Sequence, residues 1–362
     1  MRRSSIVWAA LCLLLVVSGA GIRVEADPHT PLRVFAPPAE ARIERIAATD
    51  GETIVLRFWG EQRAPRAIML GVHGFTDYGR GFAHLSSQIP ALAGFPMLVL
   101  ALDQRGFGES TSRGRWAGIP PMLSDLDQVM AWTGVHYPQT PLILMGESMG
   151  AALVLAALNR DPWRAPDRLR GVVLLAPAIW GWSSMPWYQR VGLEVGRSLW
   201  PSLQLSGRGA HQLGIRPTDD EAVAAYLGRD PNMLREVSLA MLAGLTDLME
   251  RAHAGRIPQQ LPTLIAVGGR DRVIPVPAVC AWAQRQAPAS ARERWLVQDL
   301  GYHMLTRQKA SGEVLEAISQ WARAVLEDHP AAAAVEPAPP AGQRDASLAI
   351  LPREPALARL CT

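Results

Sequence analysis

The chain has 362 residues, 49% of them hydrophobic, so it is long enough for one large α/β domain with an insertion or for two ordinary domains with substantial cores. The formal net charge is only +3, and the arginines are dispersed instead of forming a basic stripe. This charge distribution argues against a nucleic-acid partner.

The N-terminus has the pattern of an export signal. Residues 1–3 include two arginines and residues 6–17 form an apolar run, which is typical of a signal peptide. Small residues around Ala20 and Ala26 suit cleavage, so residues 1–26 are predicted to be removed from a periplasmic or secreted protein. The alternative is that this segment stays attached and anchors the protein to a membrane.

Seven apolar runs follow, mostly separated by helix-length segments, and they predict a mostly parallel sheet with helices on both faces. Several consist almost entirely of Val, Ile, Leu and Met, as expected of strands buried on both sides. The runs are residues 53–58, 67–72, 97–102, 142–145, 172–176, 263–267 and 293–297. The α/β core is therefore assigned to residues 35–178 and 259–328.

The long interval between the fifth and sixth runs predicts a helical cap over residues 179–258, because a simple crossover needs only about a dozen residues. One cap helix follows Pro186, and a second is predicted over residues 233–252. The first has an apolar face formed by Trp187, Val191, Val195 and Leu199. Two interpretations remain open: the apolar side chains of the cap pack against the core, or some line an acyl-chain tunnel or contact a membrane surface.

The C-terminal part is predicted to end in one last core helix, with apolar side chains at helical spacing between Val314 and Val325. Residues 329–362 begin with a stretch of proline and alanine and are predicted to form a disordered tail. The three cysteines are Cys12, Cys280 and Cys361. Their spacing indicates neither a zinc site nor a disulfide framework.

Ser148 has the context of a catalytic nucleophile. It lies in Gly146-Glu147-Ser148-Met149-Gly150, between the apolar run of residues 141–145 and the helix-like residues 151–158. A glycine on each side lets a strand turn sharply into a helix with the hydroxyl at the bend. Glu147 is expected to point away at this turn and receives no chemical role.

An acid and a base follow Ser148 in the chain order of an α/β-hydrolase. Asp271 follows the sixth run and His303 follows the seventh, so both are predicted at the same edge of the sheet. Three other acids compete with Asp271: Asp299, Asp247 and Asp219. Asp271 is preferred because Asp299 is only four residues from His303 and the other two belong to the cap.

Two backbone N–H groups are candidates for the oxyanion hole that acyl transfer requires. One belongs to Met149, directly after the serine, and the other to Phe75, in the loop after the second run. His73 begins this loop and is expected to support it by hydrogen bonding instead of acting as a base.

Several segments together resemble the monoacylglycerol lipase and lysophospholipase group of serine α/β-hydrolases, which is also grouped with serine aminopeptidases. They are His73-Gly74-Phe75 with Arg80, Asp103-Gln104-Arg105-Gly106-Phe107-Gly108-Glu109-Ser110, Gly146-Glu147-Ser148-Met149-Gly150, Arg229-Asp230-Pro231, Asp271 and Gly301-Tyr302-His303. The resemblance covers residues 40–326. The N-terminal segment, the tail and the sequence of the cap depart from it.

The resemblance implies an α/β-hydrolase fold with a helical cap, and a triad of Ser148, Asp271 and His303. It also implies oxyanion donors at Phe75 and Met149. Three further residues would belong to a structural turn: Asp103, Arg105 and Ser110.

The sequence therefore predicts a serine ester hydrolase that needs no metal or organic cofactor and takes a lipid-type ester, such as a monoglyceride or lysophospholipid. Membrane contact would occur through the cap or the N-terminal segment. The alternatives are a serine aminopeptidase and a noncatalytic binding module with a hydrolase fold. An aminopeptidase would need an acidic group at the cap mouth, for which the candidates are Glu194, Asp219, Asp220 and Glu221.

Overall fold

A computed structural model describes residues 40–162, 165–206, 215–286, 288, 290–327 and 348–361. Nine strands form one sheet: β1 (Arg42–Ala47), β2 (Thr53–Gly60), β3 (Ala67–Val72), β4 (Met97–Asp103), β5 (Leu142–Glu147), β6 (Leu169–Leu175), β9 (Thr263–Gly268), β10 (Glu293–Gln298) and β11 (Leu348–Leu351). Their order across the sheet is β1-β2-β4-β3-β5-β6-β9-β10-β11. The predicted signal segment, residues 1–26, lies outside the described residues.

Six parallel strands form the middle of the sheet, from β4 to β10, and antiparallel strands lie at its edges. All seven predicted strands are confirmed, and every residue of β3, β4, β5, β9 and β10 is buried. β1 was not predicted, because its Arg42, Glu44 and Arg45 interrupt any apolar run. Its pairing with β2 supplies the hydrogen bonds of this edge strand.

Helices cover both faces of the sheet and enclose two hydrophobic clusters. The helices of one face are α3 (Ile119–His136), α4 (Met149–Leu158), α8 (Val276–Arg285) and α10 (Arg353–Leu360), and those of the other are α1 (Ala83–Ser86), α2 (Ile89–Ala93) and α9 (Ser311–Leu326). α9 is the predicted last core helix, and Trp321 is fully buried in it. Every residue of α4 is buried, so the helix that follows the strand-to-helix turn is packed within the core.

The cap lies between β6 and β9. Its elements are a short 3-10 turn at Trp182–Ser184, α5 (Trp187–Leu199), β7 (Gln204–Ser206), α6 (Glu221–Leu227), β8 (Glu236–Ser238) and α7 (Leu239–Ala254). A second 3-10 turn, Gly79–Phe82, belongs to the core. α7 begins later than the predicted residue 233, because β8 pairs with β7 and the Ser238 hydroxyl accepts a hydrogen bond from the Met241 N–H. Within the described ranges, no helix is long and apolar enough to cross a membrane.

The prediction of a disordered tail to residue 362 is wrong for residues 348–361. β11 pairs antiparallel with β10, and α10 follows it. A disulfide joins Cys280 of α8 to Cys361, which the cysteine spacing did not predict. Ile350 of β11 and Ala356 of α10 are buried in the core. Residues 328–347 lie outside the described residues.

Replacing both Cys280 and Cys361 with serine is expected to lower the free energy of unfolding by about 4 kcal/mol, because the bridge closes a loop across a sequence separation of 81. Urea unfolding of the wild type and the double variant, followed by circular dichroism, measures this difference. Wild-type protein in reducing agent serves as the control and should lose a similar amount. Equal unfolding midpoints in all three samples would show that the bridge contributes nothing.

Candidate active site

Ser148 forms a sharp turn between β5 and α4. Its backbone has φ 53° and ψ −115°, in the region that non-glycine residues rarely adopt. A Cβ on Gly150 would collide with the carbonyl oxygen of Val72, and one on Gly146 would lie 2.5 Å from the backbone nitrogen of Ala151. The two glycines of the motif are therefore required by close backbone approach, and they permit the strained turn that presents the serine.

Asp271 and His303 meet at the carboxyl ends of β9 and β10. His303 Nδ1 lies 2.7 Å from Asp271 Oδ2, and both side chains are buried. The other carboxylate oxygen of Asp271 accepts hydrogen bonds from the N–H groups of Val273 and Ile274. With its Nδ1 proton donated to the carboxylate, neutral His303 keeps Nε2 as the nitrogen that accepts a proton.

The surroundings of His303 tune its basicity. Burial acts to lower the pKa of this imidazole, but the charge of Asp271 and its hydrogen bond act in the opposite direction, and the net effect is a raised pKa. The charge of Glu147, directly before Ser148, also acts to raise the pKa of His303, and the charge of Arg307 acts to lower it.

The acids that competed with Asp271 have other partners. Asp299 pairs with Arg359 of α10 at 2.6 Å. Asp247 accepts a hydrogen bond from the Trp182 indole, and Asp219 accepts one from the backbone N–H of Lys309. Of these four acids, Asp271 is therefore the one hydrogen-bonded to His303 in the described part of the chain.

The loop after β3 packs directly against the serine. A Cβ on Gly74 would lie 3.3 Å from the Cβ of Ser148, so only glycine leaves ordinary van der Waals space there. Phe75 follows in this loop, with its ring edge-on to the Phe107 ring at 5.6 Å. Met149 is the first residue of α4, where backbone N–H groups lack helical partners. The two predicted oxyanion donors thus lie on segments that adjoin Ser148.

His73 supports the same loop, as its position predicted. Its Nδ1 lies 2.8 Å from the Gly74 carbonyl oxygen, and its Nε2 accepts a hydrogen bond from the Gln104 N–H. Burial lowers the pKa of His73, so the ring is held neutral.

Asp103, in the turn implied by the resemblance, forms a buried pair with Arg57 at 2.8 Å and accepts a hydrogen bond from the Gly79 N–H.

Sequence reasoning missed a buried ion cluster beside these residues. Arg307 Nη2 lies 2.6 Å from Asp77 Oδ2 and 2.7 Å from Glu147 Oε2, and all three side chains are almost fully buried. Glu147, for which no chemical role was expected, therefore forms a buried ion pair with Arg307. A signal was available, because an acidic residue in a buried strand-to-helix turn requires a cationic partner.

The chain is similar in sequence to known proteins. A family model described as serine aminopeptidase, S33, matches residues 63–310. The chain is 26% identical over 282 residues to a monoacylglycerol lipase of Mycolicibacterium smegmatis, which covers 76% of this chain and 94% of that protein.

Two solved structures are similar in fold. Paleococcus ferrophilus monoacylglycerol lipase has a TM-score of 0.60 and 22% identity, with 75% of this chain and 99% of that chain covered. A soluble variant of Saccharomyces cerevisiae monoglyceride lipase, in complex with a substrate analogue, has a TM-score of 0.60 and 21% identity, with coverage of 83% and 98%. These likenesses confirm the predicted α/β-hydrolase fold.

Proposed function

The chain belongs to the serine aminopeptidase S33 family of α/β-hydrolases, and from this premise we propose that it is a serine hydrolase of lipid-type carboxylic esters, such as monoglycerides or lysophospholipids. The main support is the 2.7 Å hydrogen bond between His303 and Asp271 at the sheet edge where Ser148 turns into α4. The similarity to a protein named monoacylglycerol lipase supports the substrate class.

In the proposed mechanism, the Ser148 hydroxyl attacks the ester carbonyl carbon while His303 Nε2 takes its proton. The N–H groups of Phe75 and Met149 stabilise the negative oxygen of the tetrahedral intermediate. His303 then gives the proton to the leaving alcohol, and an acyl-enzyme remains on Ser148. Water, deprotonated by His303, attacks this acyl group, and the carboxylic acid leaves as Ser148 regains its proton. No step calls for a metal or organic cofactor.

An ester substrate is favoured over a peptide with a free amine because three of the four acidic groups considered for amine binding have other partners, and the fourth lies at a helix N-terminus. Glu194 pairs with Arg197 on the surface of α5, and Asp219 accepts from the Lys309 N–H. Asp220 caps α6 by accepting from two backbone N–H groups, and Glu221 lies in the first turn of that helix, where a negative charge is stabilising.

A hydrolysis panel tests the proposed substrate class. Purified protein lacking residues 1–26 is assayed with monoglycerides, lysophospholipids, p-nitrophenyl esters and aminoacyl amides. Turnover of the first two classes is expected, with at least about 100-fold lower kcat/KM on the amides. Turnover of amides alone would replace the proposal by an aminopeptidase.

We also propose that the cap contacts a lipid surface through α5. Its apolar face points outward instead of packing on the core, with Trp187 69% and Leu199 61% exposed. Val191 and Val195 complete the stripe, and Trp200 adjoins its end, 54% exposed. An exposed apolar stripe with a tryptophan at each end is typical of a helix that lies in a membrane interface.

Replacing Trp187 and Trp200 together with alanine is expected to weaken binding to phosphatidylcholine and phosphatidylglycerol vesicles by roughly tenfold or more, because each indole buries apolar area in the interface. Vesicle co-sedimentation of protein lacking residues 1–26 measures this change. Val135→Ser is the control, since Val135 is also exposed, at 77%, but lies on α3. Equal binding by all variants would contradict a role for α5.

For localisation we propose export, as the N-terminal pattern predicts. The disulfide between Cys280 and Cys361 supports this, because disulfides persist in oxidising compartments such as the periplasm or the extracellular space.

A further inference from the structure

Arg307 occupies a buried position four residues after His303. Its side chain is 6% exposed, and its Nη2 pairs with the carboxylates of Asp77 and Glu147 at 2.6 and 2.7 Å. Gly81 packs against this pair, since a Cβ there would lie 2.8 Å from Asp77 Oδ2 and 3.1 Å from Arg307 Nη1. The cluster is therefore enclosed by side chains and backbone, with no room for a larger residue at position 81.

The partners of Arg307 belong to the two other segments that form the site. Asp77 lies in the loop that carries Phe75, and Glu147 is the residue before Ser148. The main chain of Arg307 belongs to the loop of His303, where its N–H donates to the Met304 carbonyl. One guanidinium thus joins the oxyanion loop, the nucleophile turn and the base loop.

The cluster also contacts the cap. The carbonyl oxygen of Arg307 accepts a hydrogen bond from the Thr218 hydroxyl at 2.7 Å, and the Met304 N–H donates to the Pro217 carbonyl. These bonds fix the backbone from which the guanidinium extends. The side chain is consequently anchored at its base as well as at its charged end.

Building on the proposed function, we propose that Arg307 is a positioning residue that holds the Phe75 loop and the Ser148 turn at the separation that acyl transfer requires. One terminal nitrogen of the guanidinium, Nη2, lies near both buried carboxylates. A lysine would keep the positive charge, but its ammonium sits on a shorter side chain of different shape and would not reach both acids in the same geometry. Loss of Arg307 is expected to lower kcat, because misplaced oxyanion donors destabilise the transition state more than they destabilise the bound ester.

The test compares Arg307→Lys and Arg307→Met on a soluble p-nitrophenyl ester. Expected values of kcat are lower by roughly tenfold and 100-fold, with KM within about twofold of wild type. Arg160→Met is the matched control, since Arg160 pairs with Asp127 at 2.6 Å between α3 and the end of α4 and should leave kcat unchanged.

A charge-neutral triple variant, Asp77→Asn with Glu147→Gln and Arg307→Met, separates positioning from folding. Arg307→Met alone leaves two buried carboxylates without a cation and is expected to lower the thermal midpoint, whereas the triple variant recovers it. The proposal predicts that kcat stays low in the triple variant. Recovery of kcat together with stability would show that Arg307 serves only to neutralise its neighbours, and would overturn the proposal.

Glu147→Gln gives an independent readout. The charged groups that act on His303 are Asp271, Glu147 and Arg307, and the carboxylate of Glu147 raises the pKa of His303. Since His303 must be neutral to act as a base, removing that charge should move the low-pH limb of kcat/KM to lower pH. An unmoved limb would contradict the coupling of this cluster to the base. Ester turnover absent from both wild type and Arg160→Met would instead refute the proposed function itself.

Discussion

Ester hydrolysis is expected to be lost in Ser148→Ala, with kcat lower by roughly 10⁶-fold. The substitution removes the oxygen that would form the acyl-enzyme, and no neighbouring group replaces a nucleophile held in this turn. The fold should persist, because alanine meets the same backbone strain at φ 53° and the flanking contacts of Gly146 and Gly150 are unchanged.

Steady-state kinetics on a monoglyceride and a p-nitrophenyl ester, with thermal unfolding as the check on folding, measure the effect of Ser148→Ala. Ser124→Ala is the control, since Ser124 lies on α3 and should keep wild-type turnover. A folded Ser148→Ala protein with wild-type turnover would rule out the acyl-enzyme mechanism.

Asp271→Asn is expected to lower kcat by roughly 10⁴-fold. An amide nitrogen facing His303 Nδ1 would favour the tautomer with its proton on Nε2, which cannot accept the serine proton. Because Asp271 raises the pKa of His303, the low-pH limb of the residual activity should also move to lower pH. The loop should remain in place, since the asparagine oxygen can still accept from the N–H groups of Val273 and Ile274.

Asp299→Asn is the matched control for Asp271→Asn. It breaks only the ion pair with Arg359, which is partly exposed, and kcat should stay within about twofold of wild type. Reversal of the two results, with Asp299→Asn inactive and Asp271→Asn active, would transfer the role of the acid to Asp299. The pH–rate profiles of both variants, measured on the same ester, complete the comparison.

The central sheet could be predicted from the sequence because parallel strands buried on both faces consist of continuous apolar residues. β1 was missed because one edge strand of alternating charge has no such run. The placement of Ser148, Asp271 and His303 at one edge of the sheet could be predicted because each residue follows a strand. The carboxyl ends of parallel strands lie at the same edge. The 2.7 Å contact between Asp271 and His303 required the folded chain.

The C-terminal segment and the Arg307 cluster were less accessible to sequence reasoning. Proline and alanine before residue 348 suggested a tail, but four residues of strand and one short helix suffice to cover the edge of β10. Cys280 and Cys361 are separated by 81 positions, so their spacing does not indicate a bridge. The disulfide becomes evident only in the folded chain, where Cys361, directly after α10, lies beside Cys280 of α8. Likewise, Asp77, Glu147 and Arg307 come from three distant segments, and no spacing pattern connects them.

The central claim is that Ser148 is a nucleophile activated in the folded protein. Labelling of protein lacking residues 1–26 with a fluorophosphonate probe, followed by peptide mass spectrometry, tests it most directly. We expect covalent labelling on Ser148 in the wild type and none in Ser148→Ala. A folded wild-type sample that neither accepts the probe nor turns over any ester would contradict the claim and indicate a noncatalytic protein with a hydrolase fold.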